Sequence, residues 1–381
     1  MASLKGENSE MEEMKSERNG AAVGIWRTLD ASANRSAEAV RVLEDIFRFC
    51  FNDAFLSQEA KAIRHELAVV FASDDLQARI RLRDVSGDVG VGAKVEQTPP
   101  RTEAKHVFAA NAARASQSIR SLEECSRLVA PAVTEIFERL RYRIYTLEHM
   151  GISTITSHEN FHNVNLCVLL NLDQSEIEFK SLVNRLLIAG VQMIQLRDKK
   201  SETRRLCHRV RITVEQARDY AELTAERKCI VVVNDRVDVA VAAGADGVHL
   251  GESDLPVSLA RKVCGHEFLI GRTAHSTPEA KQAVLEGADY LGVGPCFPTK
   301  TKEFRDFATD EFLREVSEEI RLPTFAIGGI TCDNIDRLLH LGLKRFAVAS
   351  SIADAADPGE EVRRMCSLMA APTENQSPKN L

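Results

Sequence analysis

Tyr290-Leu291-Gly292-Val293-Gly294-Pro295-Cys296-Phe297-Pro298-Thr299-Lys300-Thr301-Lys302 passes from a short apolar run into a loop dense in hydroxyls and ammonium groups. Tyr290 to Val293 reads as a buried strand. Gly294 and Pro295 stop it, and two threonines and two lysines follow. Such a loop suits a phosphate ester or a pyrophosphate. Taken alone it reads equally well as a solvated basic turn.

The layout recurs on both sides. From Asn165 onward short apolar runs alternate with helical stretches: 166–170, 193–196, 230–233, 247–250, 269–271, 290–293, 324–327 and 346–349. Strand–helix alternation means parallel strands joined by crossover helices. Eight units over residues 165–370 fit a C-terminal (β/α)8 TIM barrel. An open doubly wound sheet is the alternative, but no GxGxxG follows the first strand.

Barrel chemistry collects at the C-terminal ends of the strands. The second strand ends Gln195-Leu196-Arg197-Asp198-Lys199. Alternation puts Gln195, Arg197 and Lys199 on one side, where two cations would repel unless an anion sits between them. The third strand ends Asn234-Asp235 and the fourth His249-Leu250-Gly251-Glu252-Ser253-Asp254. Asp235 and Asp254, on adjacent strand ends, suit Mg²⁺, which takes one or two carboxylates plus waters and substrate phosphates. Asp235 reads alternatively as a helix cap, and His249, between Val248 and Leu250, as a satisfied core histidine. The fifth strand leads to Arg272-Thr273-Ala274-His275-Ser276, the seventh to Gly328-Gly329-Ile330 and the eighth to Ala349-Ser350-Ser351. The last two loops are the usual phosphate seat of such barrels.

Ahead of the barrel the pattern is helical, and an all-α helical domain is expected over residues 25–150. Ala39, Val42, Leu43, Ile46 and Phe47 recur at helical spacing, as do Ala60, Ile63, Leu67 and Val70. The run from Arg35 to Glu44 aligns with that from Arg114 to Glu123, and Arg48 with Arg127, which suggests a pseudo-symmetric bundle. A glycine-rich polar loop runs from Arg83 to Gly92. Residues 1–24 and 371–381 read as disordered tails and 151–164 as a linker without apolar periodicity.

The chain has 381 residues, 44% of them hydrophobic, and a formal net charge of -7. That balance disfavours a nucleic-acid or anionic-membrane partner. No apolar run approaches the roughly 18–20 residues that span a bilayer, and the polar N-terminus carries no secretory signal. Nine cysteines without a CxxC pair indicate neither a zinc site nor a disulfide framework. The expected compartment is the cytoplasm. A homo-oligomer stays open.

The barrel half resembles thiamine-phosphate synthase. The matching blocks are Gln195 to Lys199, Asn234 to Asp238, Gly247 to Gly251, Gly294 to Lys302 and Ala326 to Ile330. The resemblance implies a transferase that joins 4-amino-2-methyl-5-pyrimidinylmethyl diphosphate to a thiazole phosphate. It implies Mg²⁺ on Asp235 and Asp254. It assigns Gln195, Leu196, Arg197, Asp198, Lys199, Asn234, Thr273 and Lys302 to the pyrimidine diphosphate, with Arg197, Lys199 and Lys302 acting on the departing pyrophosphate. Thr299, Lys300, Thr301, Gly329, Ala349 and Ser350 fall to the thiazole phosphate. Thr273 replaces the usual Ser, and Ala349 the usual Val. Residues 26–150 resemble a helical domain often fused to this synthase and associated with phosphorylating hydroxymethylpyrimidine phosphate. The matching stretches are Leu29 to Arg35, Val42 to Asp45, Arg83 to Gly90 and Leu140 to Tyr145. Arg35, Arg41 and Arg114 are candidate phosphate ligands there, and Asp84 and Asp88 candidate Mg²⁺ ligands. ATP is the implied co-substrate, although no GxxxxGK[ST] loop is present. A scaffold without activity is the alternative for this half. For the barrel, the alternative is an isomerase related to the synthases, a thiazole tautomerase.

Overall fold

A computed structural model describes residues 3–83, 101–199, 201–225, 228–298 and 306–370, with side chains from residue 20 onward. The chain falls into two units, one ending at Ile152 and the other beginning at Ser153.

The first unit holds α1 (Ser3–Asp45), a π-helical turn at Ile46–Cys50, α2 (Ala54–Phe71), a 3-10 turn at Asp74–Leu76, α3 (Ala78–Arg81), α4 (Ala104–Val129), a 3-10 turn at Pro131–Val133 and α5 (Thr134–Asn160). The two repeat helices, α1 and α4, pack on each other, and the Phe47 ring, in the π-helical turn that continues α1, lies 5.4 Å from the Phe108 ring on α4. The repeat also extends further than the aligned stretch. Ala60, Ile63, Leu67 and Val70 on α2 and Phe137, Leu140, Ile144 and Leu147 on α5 follow one spacing, and all eight are buried. Each half carries one inward carboxylate bonded by an arginine from its second helix: Arg64 Nε to Glu44 at 2.6 Å, Arg141 Nε to Glu123 at 2.7 Å.

Three expectations are corrected here. The first unit is not an all-α domain standing ahead of the barrel. Its helices are interrupted by π and 3-10 turns, and α5 continues past Ile152 to Asn160. Residues 151–164 are accordingly no free linker: they are helical through Asn160, and Phe161 and Val164 join the barrel core. The described part of the first tail, residues 3–24, is helical, because α1 begins at Ser3. Polar composition argued for disorder in both segments, and continuity with a packed helix outweighs it. Residues 371–381 lie outside the described residues.

The second unit is a closed barrel of eight parallel strands in chain order. They are β1 (Leu166–Leu170), β2 (Met193–Leu196), β3 (Ile230–Asn234), β4 (Gly247–Leu250), β5 (Leu269–Ala274), β6 (Tyr290–Val293), β7 (Thr324–Ile327) and β8 (Arg345–Val348). The helices are α6 (Glu176–Ile188), α7 (Thr203–Thr224), α8 (Val237–Ala243), α9 (Val257–Cys264), α10 (Thr277–Leu285), α11 (Asp310–Glu319), α12 (Ile335–His340), α13 (Ser350–Ala353) and α14 (Pro358–Ala370). β5 outruns its apolar reading because Thr273 and Ala274 keep pairing with Gly292 and Val293. Alternate strand residues fill the interior: Cys167, Leu169, Met193, Ile230, Val232, Leu269, Tyr290, Phe325 and Ala347, with Phe161 and Val164 beside them. This apolar filling leaves the polar strand ends as the open face.

Candidate active site at the barrel mouth

Gln195 and Asn234 are the next inward positions after Met193 and Val232. Gln195 is buried, and its Nε2 donates to Asn234 Oδ1 at 3.0 Å. The Arg197 N–H donates to the Leu170 carbonyl at 2.9 Å, so β2 stays paired with β1 beyond Leu196. Lys199 Nζ lies 3.3 Å from Asp235 Oδ2.

Asp235 has a left-handed backbone, φ 65°, which Asp tolerates better than most residues. Its N–H donates to the His249 carbonyl at 2.8 Å. It caps no helix, since Arg236 precedes α8. The turn carries the carboxylate to Asp254 instead. Burial and the neighbouring Asp254 carboxylate push the Asp235 carboxyl above its ordinary range, against the pull of Lys199. Asp254 is itself held by the Gly251 N–H, 2.7 Å from Oδ2. Glu252 is exposed.

His249 is a satisfied buried histidine. Its Nε2 lies 2.9 Å from Thr273 Oγ1 and its Nδ1 3.2 Å from the Tyr290 hydroxyl. Burial, helped by Arg272, pushes it down to about 4, so the ring is neutral at physiological pH.

At the other side of the mouth the loop after β6 runs along the end of β7. Cys296 N–H donates to the Ile327 carbonyl at 2.9 Å and Phe297 N–H to that of Gly328 at 3.0 Å. This close approach requires Gly329, whose φ is 64° and whose Cβ would lie 2.3 Å from the Pro298 carbonyl oxygen. Ser350 is exposed and opens α13, while Ser351 Oγ donates to the Ile330 carbonyl at 2.8 Å. Ala349, in front of them, packs against the barrel core. Thr299, Lys300, Thr301 and Lys302 lie outside the described residues.

Leu196 is fully buried and alternates with Gln195, so its side chain belongs to the outer, helix-facing side of β2. The Asp198 carboxylate closes its own turn by accepting the Ser201 N–H at 2.9 Å and the Ser201 hydroxyl. Residue reading missed Tyr290 as the second partner of His249. The available signal was glycine inside strands, Gly271 and Gly292, which marks close approach of neighbours.

In the first unit Asp30 is buried and bonded by Arg83 Nε at 2.6 Å and Arg79 at 2.9 Å. Hydrogen bonds from Arg83 hold its carboxyl below the usual range. This joins two of the matching stretches, at the root of the polar loop. Asp84 and Asp88 lie outside the described residues. Arg35, Arg41 and Arg114 are exposed, without an ion-pair partner among the described residues. The helical spacing pairs Arg41 with Glu44, but Glu44 binds Arg64.

The family model described as thiamine monophosphate synthase matches residues 166–352, and that of the ThiD2 family matches residues 27–150. A thiamine-phosphate synthase of Rhodopirellula baltica is 37% identical over 338 residues, 86% of this chain and 88% of the relative. One of Gloeobacter violaceus is 37% identical over 88% of this chain and 94% of its own. A solved thiamine phosphate pyrophosphorylase from Pyrococcus furiosus is 31% identical, with a TM-score of 0.47, over 54% of this chain and 95% of that one. On the identity and coverage of the two synthases, the chain belongs to the thiamine-phosphate synthase family.

Proposed function

We propose that the barrel mouth joins the pyrimidinylmethyl diphosphate to a thiazole phosphate, and that the first unit makes that diphosphate from the monophosphate and ATP. The barrel half is a transferase of thiamine biosynthesis. The observation that carries the site is the facing pair Asp235 and Asp254, beside Lys199 and next to the Gln195–Asn234 amide pair. Two carboxylates driven together, one with its proton affinity raised, suit a divalent cation. Among the described residues no larger His, Cys, Asp and Glu cluster competes for it. Asp235 and Asp254 would hold Mg²⁺, which when bound neutralises charge on the diphosphate.

The remaining roles follow from side-chain chemistry. With Gln195 Nε2 spent on Asn234 Oδ1, Gln195 Oε1 and Asn234 Nδ2 stay available as adjacent acceptor and donor. That pair suits the amino group and ring nitrogen of an aminopyrimidine. Arg197, Lys199 and Lys302 take up charge as the C–O bond to pyrophosphate breaks. The thiazole nitrogen lone pair then forms the C–N bond, and Gly329 and Ser350 hold the spectator phosphate. No protein nucleophile is required. The Cys296 thiol, buried and pushed up to about 12, is a poor one. A thiazole tautomerase would need the phosphate seat but not the carboxylate pair.

The test supplies the full chain with pyrimidine monophosphate, ATP, Mg²⁺ and thiazole phosphate. Thiamine monophosphate should form, and the Asp235→Ala chain should accumulate the pyrimidine diphosphate instead. If only preformed diphosphate supports synthesis, the first unit is a scaffold. If preformed diphosphate also fails, the synthase reading fails. A second expectation concerns the phosphate seat. Gly329→Ala should raise the KM for thiazole phosphate roughly tenfold and change kcat less, because a spectator phosphate contributes mostly uniform binding. Steady-state kinetics with both substrates varied will check it, and a change confined to kcat would remove Gly329 from that seat.

A further inference from the structure

The geometry points to a one-way hydrogen-bond relay from Tyr290 through His249 to Thr273, which turns the Thr273 hydroxyl toward the ligand as a donor and makes His249 a positioning residue. It rests on the reading of the mouth as the pyrimidine-diphosphate site.

The relay starts at the buried end. Tyr290 is 3% exposed and belongs to the barrel core. Among the described residues its hydroxyl has one hydrogen-bond partner, His249 Nδ1 at 3.2 Å. A buried hydroxyl proton without an acceptor is costly, so the phenol donates and Nδ1 accepts. No carboxylate bonds the ring, so it is neutral and carries a single N–H, on Nε2. That N–H donates to Thr273 Oγ1 at 2.9 Å. Thr273 makes no other side-chain hydrogen bond among the described residues. Its oxygen already accepts, and its own proton remains to be donated. Thr273 is half-buried at the open end of β5, opposite Gly292. A diphosphate oxygen, which only accepts, is the complementary ligand. Reversed, the relay would offer a diphosphate nothing but lone pairs.

The strands are built around this contact. A Cβ on Gly271 would stand 2.1 Å from Tyr290 Cζ and 2.5 Å from His249 Nδ1. One on Gly292 would stand 3.0 Å from His249 Cε1. Two glycines on neighbouring strands therefore clear the space in which the imidazole meets the phenol on one side and Thr273 on the other. The His249 backbone carbonyl also receives the Asp235 N–H, so one residue supports both ends of the diphosphate site.

Long-range ¹H–¹⁵N NMR of the labelled full chain reads the tautomer directly, with the His249 signal identified by its loss in His249→Gln. The expected ring is protonated on Nε2 and bare on Nδ1. Tyr290→Phe, which keeps the shape of the side chain, should move it toward a mixture of tautomers. The same variant should raise the KM for the pyrimidine diphosphate roughly tenfold, while the KM for thiazole phosphate stays unchanged. His249→Gln keeps an amide donor on a similar reach and should stay within about threefold of wild type, whereas His249→Leu should match Thr273→Val. A wild-type ring protonated on Nδ1 overturns the relay. So does a Tyr290→Phe chain with wild-type tautomer and wild-type KM. If wild type makes no thiamine phosphate from supplied diphosphate, the synthase reading falls, and the tautomer measurement still decides the direction of the relay.

Discussion

Asp235→Asn should lower thiamine phosphate synthesis by about a thousandfold, the scale of losing one charge-stabilising group in an enclosed site. The metal-free protein should at the same time be no less stable at neutral pH. Both halves follow from one placement. The carboxyl sits in a left-handed turn, facing Asp254, and its proton affinity is raised by burial and by that neighbour. A carboxyl raised in the folded state costs nothing below its unfolded pKa, where it is protonated in both states. The cost grows as pH rises through the folded value and is complete above it. Asparagine is never ionised and escapes that cost. Thermal melts in EDTA from pH 3 to 8 should show the variant gaining on wild type as pH rises. Added Mg²⁺ should stabilise wild type and leave the variant unmoved. A variant that keeps turnover at limiting Mg²⁺, or loses ground on wild type as pH rises, would remove Asp235 from the metal site.

Arg141→Leu should cost the first unit about 3–5 kcal/mol, the usual penalty for stranding a buried charge. The Glu123 side chain is 1% exposed and that of Arg141 9%. Arg120 and Arg127 also reach Glu123, but both are half-exposed and screened by water. Burial alone would raise the Glu123 carboxyl, and the bonds from Arg141 and Arg127 outweigh it and hold the group low. A lowered carboxyl contributes stability above its unfolded pKa and loses it as pH falls through the folded value. Glu123→Leu with Arg141→Leu should recover most of the loss, because no unpaired charge then remains. Urea unfolding at pH 7 decides it: a single-variant loss below 1 kcal/mol, or a double variant as weak as the single, would contradict the account.

Much of the barrel was legible because each strand is an apolar run ended by turn residues, a pattern set by burial on both faces. Site residues that act through side-chain type and alternation could be read in the same way: Gln195 and Asn234 meet because both are inward positions on paired strands. Contacts that depend on register across strands could not. Nothing in Tyr290 or His249 singly says that Gly271 lets them touch. Leu196 and Asp198 stand in the same contiguous block, and alternation turns both side chains away from the Gln195 side. The polar composition of residues 151–164 suggested a linker, and helix continuity from α5 was invisible to a reading that ended with the apolar periodicity.

The repeat in the first unit has a historical consequence. Each of these Glu–Arg pairs lies wholly within one repeat, the half-buried Glu44 with Arg64 and the buried Glu123 with Arg141. The Phe47–Phe108 contact instead joins the two. A chain of half this length would keep its internal pair and find the other half of its core in a second copy of itself. Duplication and fusion of such a self-pairing ancestor would release one copy from selection to drift. The two copies differ at Asp30, for the aligned position in the second repeat is Ala109, so the arginine-bound carboxylate stands in one copy alone.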